Sequence, residues 1–381
     1  MKYFILLLIF TTNFSFAQES KYIAELYSGQ IGKYPIVMVL SHHLNSNQEE
    51  EYDCAYMYKS QGIAIQVDEA EFKSNVLTLS IDYGLKEKFV LRLLHDKSWT
   101  GTWQDKKNKT LPVSLKPLNI SSVNHKMANL KEVENWKKEN ELLYIATANL
   151  SFVQDTITYA GKMPIYWFKD SVYGTSYFRL GAEYKGINEI LLKQHLNNIE
   201  QEGRGCQYDG GNDRTFEIET LKEGLLSFYH SKGIIYCPRT AHPGWAYESM
   251  TFDLKLDKEI TFDELFAFSE KPVIYKESNS EEFYKYREEK VAPKIVAILR
   301  KSHPELREIP KNNEKEDEME CYYLKNEMWQ YLEGWSLSKN ELHLEYFDGA
   351  TGYGPCMEHF NIPYSYLKSY VVPRYRPYLL K

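Results

Sequence analysis

Residues able to do chemistry are plentiful in this chain but rarely grouped. His42-His43 follows an apolar, strand-like run. Neighbours on an extended chain point to opposite faces, so the two imidazoles do not read as a metal pair. With 53 Asp and Glu residues, carboxylate pairs of the kind used in glycoside hydrolysis arise by chance, and spacing nominates none. The chain has no G-x-S-x-G elbow, H-E-x-x-H helix motif, P-loop or G-x-G-x-x-G turn. No catalytic residue, metal or cofactor is therefore expected, and the balance lies against an enzyme.

Two loops have a richer composition. Arg239 to Tyr247 (RTAHPGWAY) gathers Arg239, His242, Trp245 and Tyr247, residue types enriched where partners bind; the alternative is a buried structural turn. Cys206 to Arg214 has the small residues and oxygen donors of a calcium loop. It lacks the alternating donors and terminal Glu of an EF-hand, so it reads as a Gly-rich turn.

The elements that must position these groups follow from patterning. Lys2, the apolar run Tyr3 to Phe10 and Phe16-Ala17-Gln18 read as a secretory signal cleaved after Ala17. The run is shorter than the roughly 20 apolar residues a membrane span needs. Residues 1–17 are thus expected to be removed, and the rest to work in the periplasm or outside the cell without a membrane span. Over 18–118, strand-like runs at 34–40, 52–58, 63–67, 76–81, 88–94 and 100–103 alternate with polar turns such as Ser46-Asn47, Ser60-Gln61-Gly62, Ser74-Asn75 and Tyr83-Gly84. That predicts an antiparallel β meander, most simply barrel-like. The charged stretch 119–141 reads as a helical linker, and 142–381 as an α+β domain with an antiparallel sheet and two or three helices. In that domain strands are expected over 142–150 and 163–168 and a helix over 186–202. Thr261 with Glu264 signals a capped helix start, and a long helical stretch over 282–302 contains Pro293. The charge run 311–320 reads as a solvated loop.

In an oxidising compartment disulfides persist. Local pairing would join Cys206 with Cys237 and Cys321 with Cys356, leaving Cys54; sequence does not establish connectivity, and five reduced thiols is the alternative. The net charge of −7, with signs mixed and no basic tract, argues against a nucleic-acid partner.

Residues 225–228 (LLSF), the turn Pro243-Gly244, 247–254 (YESMTFDL), 258–266 (KEITFDELF), and 342–362 followed by Pro363-Tyr364-Ser365-Tyr366-Leu367 recur in one order. In that order and spacing the C-terminal part resembles the bacterial extracytoplasmic domain of unknown function numbered 3298. The resemblance implies an envelope protein that holds or senses something outside the membrane. Relatives of that family include the ectodomain of a lysozyme-binding anti-sigma factor and an accessory portion of a peptidoglycan deacetylase, although the deacetylase's metal motifs are absent here. It also implies that the Gly-rich loop from Asp348 to Pro355, with Tyr353 among its three glycines, borders the recognition cleft. The expected ligand-binding residues are thus Arg239, His242, Trp245, Tyr247, Asp348 and Tyr353. The expected function is non-catalytic binding of a lysozyme-like protein or a peptidoglycan fragment. The alternatives are an envelope carbohydrate hydrolase, which would show a deep cleft with perturbed carboxylates or a His, and a structural module of the envelope.

Overall fold

Short runs of alternating apolar and polar residues leave the first part of the chain to form an antiparallel sheet with one buried face. The computed structural model describes residues 23–44, 50–81, 86–209, 216–237, 244–269, 280–306, 324, 326–329, 332, 334–347 and 357–380. The expected export signal at 1–17, the turn pairs Ser46-Asn47 and Tyr83-Gly84 and the charge run 311–320 lie outside the described residues. The chain divides into two compact units, Met1–Val123 and Asn124–Lys381. No helix among the described residues is long and apolar enough to cross a membrane.

The first unit holds nine strands: β1 (Ile23–Ile31), β2 (Tyr34–Leu44), β3 (Glu50–Tyr58), β4 (Ala64–Gln66), β5 (Glu69–Lys73), β6 (Val76–Ile81), β7 (Glu87–Leu93), β8 (Trp99–Gln104) and β9 (Thr110–Pro117). They form one curled sheet in the order β4-β3-β2-β1-β9-β8-β7-β6-β5, a half-barrel. On β6, Leu77, Leu79 and Ile81 are buried while their neighbours are partly exposed, as a period of two requires. Curling brings distant strands together: Tyr52 of β3 meets Phe72 of β5 at 5.5 Å between ring centroids, and Phe72 meets Trp99 of β8 at 5.9 Å. A Cβ on Gly101 would collide with the Val90 carbonyl of β7, so only glycine lets those backbones approach. His42 and His43 do separate: His42 stacks on Tyr52 at 5.7 Å, and His43 lies 3.5 Å from Glu51 and 3.8 Å from Asp53. Cys54 is a buried free thiol whose pKa is raised by desolvation.

The second unit opens with helices α1 (Lys131–Glu139) and α2 (Glu141–Ala146). Within the charged stretch 119–141, Val133 and Trp136 of α1 are buried, and the Trp136 indole donates to Glu200 at 3.3 Å. The strand expected over 142–150 is instead largely helix α2. Asn140 caps it by accepting from the Leu143 amide at 3.3 Å, and Leu142, Leu143 and Tyr144 are buried in succession. A helix buried on most sides leaves no period of 3.6 to read, and the apolar run passes for a strand.

Three antiparallel sheets follow. β10 (Phe152–Ala160), β11 (Met163–Asp170) and β12 (Ser176–Arg179) form the first. After them helix α3 (Lys185–Gly203) starts on a carboxylate from far along the chain: Asp257 accepts from the Gly186 amide at 2.7 Å and the Ile187 amide at 3.1 Å. An anion there satisfies orphan amides and suits the positive end of the helix. The second sheet contains β13 (Gln207–Asp209), β14 (Phe216–Leu221), β15 (Leu225–Tyr236), β16 (Gly244–Asp253) and β17 (Lys258–Glu259). β15 is bulged between Ser231 and Gly233 in its pairing with β16.

Helix α4 (Phe262–Leu265) begins with the capping box read from Thr261 and Glu264. The expected long helix divides into α5 (Glu281–Tyr286), a π turn at Arg287–Val291 and α6 (Ala292–Ser302), with Pro293 in the first turn of α6, where its missing N–H costs nothing. The π turn aims Arg287 inward, donating to Asp263 at 2.7 Å and the Leu332 carbonyl at 2.9 Å. The third sheet is β18 (Gly334–Leu337), β19 (Glu341–Phe347) and β20 (Met357–Pro363), followed by the single-turn helices α7 (Tyr364–Leu367) and α8 (Arg376–Leu379). Leu342, Leu344, Phe360 and Ile362 of this sheet pack with Ile295 and Leu299 of α6 in the largest core. The described helical segments thus outnumber the two or three expected.

Cys206 and Cys237 form a disulfide across 31 residues, at the end where β13 pairs with β15. Cys321 and Cys356 lie outside the described residues. Closing a loop of this length restricts the unfolded chain by about 3–4 kcal/mol. Replacing both Cys206 and Cys237 by alanine is expected to lower the unfolding free energy by about that amount in chemical denaturation. An unchanged midpoint would remove the bond from the account of stability.

Candidate functional site

The most distinctive site grows from the way β18 is held. One edge of β18 pairs with β19, and its other edge meets the face of the sheet that contains β15 and β16. There the Leu337 amide donates to Ser227 Oγ at 2.9 Å and the Trp335 amide to Ser249 Oγ at 3.3 Å. Ser227 also shares a hydrogen bond with Thr251 at 2.9 Å. A buried amide without a partner costs about 1–3 kcal/mol, so small hydroxyls on alternate positions of β15 and β16 let one sheet stand its edge on the face of another.

This junction opens a cleft of about 240 Å³ lined by Glu217, Tyr229, Trp335, Ser336, His343, Leu344, Glu345, His359 and Asn361. Register explains the grouping. Ser336, His343 and Asn361 pair across the three strands, and so do Gly334, Glu345 and His359. On the opposite wall Glu217 of β14 pairs with Tyr229 of β15. Along β19 the intervening Leu342 and Leu344 turn to the core, leaving His343 and Glu345 on the cleft face.

Glu345 is the centre of this site. Its side chain is only 7% exposed. Oε1 accepts from the Tyr229 hydroxyl at 2.8 Å, and His359 Nδ1 lies 3.9 Å away. Oε2 has no hydrogen-bond partner, and neither has the buried Nε2 of His343. A Cβ on Gly334 would sit 2.6 Å from Oε2 and 3.0 Å from the ring of Tyr247, so the absent side chain makes the space the carboxyl occupies. Burial pushes the Glu345 carboxyl up to about 7, against a smaller downward pull from the Tyr229 hydrogen bond. Near neutral pH this group switches between a hydrogen-bond donor and an anion.

A second polar pocket, of about 40 Å³, lies under α3 and has room for little more than a water or two. His195 on α3 lines it, 1% exposed, with its ring stacked on Tyr177 at 4.3 Å and Nε2 3.6 Å from Asp170. Asp170 is fully engaged elsewhere, accepting from the amides of Val172, Tyr173, Gly174 and Thr175 at 2.7–3.3 Å. Neither ring nitrogen of His195 has a hydrogen-bond partner. Desolvation therefore dominates and holds the imidazole down at about 4, despite the opposing pull of Asp170. Glu248 in the same pocket is pushed up by burial, but His230 and Lys232 outweigh this and hold it at about 2.

Of the expected ligand-binding residues, Tyr247 lies next to Gly334, the strand partner of Glu345, and is not among the residues that line the cleft. Trp245 lies on β16. Arg239, His242, Asp348 and Tyr353 fall outside the described residues, as do positions 210–214 of the Gly-rich turn. Glu345, His343, His359 and Tyr229 were not anticipated. The strand 341–347 carries a signal for two of them, polar residues at alternate positions between buried leucines. Nothing in the sequence says that β15 supplies the facing tyrosine.

The histidine pocket has a consequence for acid stability. Unfolded, His195 takes a proton near its ordinary 6.5, and folded only near 4. Its contribution is complete above about pH 6.5 and shrinks as pH falls toward 4, by at most about 1.4 kcal/mol per unit. The unfolding free energies of the parent and His195→Phe, measured from pH 7 to 4, are expected to diverge in slope over that window. Parallel curves would contradict the assignment.

No model of a known protein family matches this chain, and no curated protein matches it in sequence.

Proposed function

We propose that this protein is an extracytoplasmic, non-catalytic binding protein and that its ligand, a cell-wall glycan, docks in the cleft at Glu345. The observation that carries the reading is a pair of buried, unpartnered polar atoms, Glu345 Oε2 and His343 Nε2, lining one cleft beside Trp335. Native proteins leave few such atoms, because each costs about 1–3 kcal/mol. A ligand bringing complementary hydrogen-bonding groups would recover that cost. Tyr229 adds aromatic surface and Asn361, Ser336 and Glu217 add polar groups, the mixture suited to a sugar ring with apolar faces and polar edges.

The resemblance of the C-terminal part to the extracytoplasmic domain numbered 3298 supports an envelope setting, and the Cys206–Cys237 disulfide is compatible with it. The same resemblance makes a lysozyme-like protein the other ligand to try, with the acidic net charge favouring approach of a basic partner. Titration calorimetry with soluble peptidoglycan fragments is expected to give saturable binding that is lost in Glu345→Ala. Binding to lysozyme alone would move the ligand to a protein surface, and binding to neither would end the reading.

One observation favours catalysis as a second reading. A carboxyl poised near 7 shares its cleft with a second carboxylate, Glu217, the residue types that glycoside hydrolysis employs as acid and base. Steady release of reducing ends from a peptidoglycan substrate, abolished in both Glu345→Gln and Glu217→Gln, would establish it.

A further inference from the structure

We infer that the cleft selects N-acetylated sugars, with the Glu345 carboxyl donating to the acetamido oxygen and His343 Nε2 accepting the acetamido N–H. The inference rests on the glycan reading and names the group recognised. Glu345 and His343 are two positions apart on one face of β19, a spacing of about 7 Å along a strand. A secondary amide with one partner on its N–H and another on its C=O spans about the same distance, given hydrogen bonds of about 2.9 Å on either side. The two atoms without partners, Glu345 Oε2 and His343 Nε2, are thus a donor–acceptor couple that an amide satisfies and a lone hydroxyl does not. Tyr229 holds Oε1 as acceptor at 2.8 Å, which leaves the acidic proton to Oε2. Gly334 has no side chain to displace that carboxyl.

Donation requires the neutral carboxyl. Burial raises Glu345 to about 7, so the donor is present below that pH and lost above it. The titratable groups facing it are Tyr229 on β15, Tyr247 on β16, His343 on its own strand, His359 on β20 and, across the cleft, Glu217 on β14. β18 contributes only Gly334, Trp335 and Ser336 at this point. Among the described residues, the ionisable neighbours closest to Glu345 are thus a tyrosine hydroxyl and an imidazole, and neither Lys nor Arg lines the cleft to hold the carboxylate charged.

The test compares two neutral disaccharides of the same β-1,4 linkage on the whole protein: N,N′-diacetylchitobiose, and cellobiose, which has hydroxyls in place of the acetamido groups. At pH 6 the acetylated sugar is expected to bind about tenfold or more tightly, since two hydrogen bonds at about 1 kcal/mol each separate the pair. Its affinity is expected to drop about tenfold between pH 6 and 8 as the donor is lost. Glu345→Gln retains a donor and an acceptor, so it should keep the preference and lose the pH dependence, while His343→Leu should lose the preference. Equal binding of the two sugars, or an unchanged pH profile in Glu345→Gln, overturns the acetamido assignment and leaves the glycan reading standing. Absence of binding by either sugar to the parent at any pH overturns both.

Discussion

The second unit depends on how the free edge of β18 is satisfied. A strand edge offers a row of amides that must find partners, and most proteins give them another strand, a covering helix or water. Here the amides of Trp335 and Leu337 donate to the hydroxyls of Ser249 and Ser227, on the face of a neighbouring sheet. Serine suits this place because its hydroxyl is short and accepts close to the backbone; a longer polar group would hold the sheets apart, and an apolar one would leave the amides orphaned. Two sheets meeting edge on face cannot close completely, and the gap left beside the junction is the cleft.

Glu345 owes its character to that geometry. Gly334 pairs with it and has no side chain to fill the space, Tyr229 takes one oxygen, and Leu342 and Leu344 before it commit β19 to the core. The carboxyl is held where solvation is poor and no Lys or Arg is among the described residues of the wall, so its neutral form is favoured. The same fold contains the opposite solution in Arg287 and Asp263, a buried pair at 2.7 Å in which each charge answers the other. The contrast separates a polar group that fixes the fold from one available for recognition.

Much of the architecture was legible in the sequence. Alternation over 76–81 and 341–347, the Thr261–Glu264 capping pattern, the helix over 186–202 and the local Cys206–Cys237 pair all rest on neighbouring residues, and all appear. What escaped depends on distant ones. Strands β1, β5 and β9 have less continuous apolar patterns and are held by their partners in the curled sheet. Helix α2 was read as a strand because burial on most sides erased its period. The cleft was the least legible part, for its walls come from β14 and β15 on one side and β18 to β20 on the other, more than 100 residues apart in the case of Tyr229 and Glu345. Tyr247 was singled out for its residue type and lies beside the cleft, but its type did not reveal Glu345.

The two pockets also show why an unpartnered polar atom is a sign of function only in some settings. His195 and Glu345 are both deeply buried, and each has buried polar atoms without a hydrogen-bond partner: both ring nitrogens of the histidine and Oε2 of the carboxyl. His195 is closed in by Tyr177, Phe152 and a carboxylate already occupied by four amides, in a space of about 40 Å³. Its neutrality costs the fold little at ordinary pH and gives a ligand nowhere to enter. Glu345 opens on a cleft six times larger, with an imidazole two residues away on the same face. Desolvation shifts both groups towards their neutral forms. For the histidine this leaves a silent core residue, whereas for the carboxyl it leaves a hydrogen-bond donor at the edge of a space that a sugar can occupy.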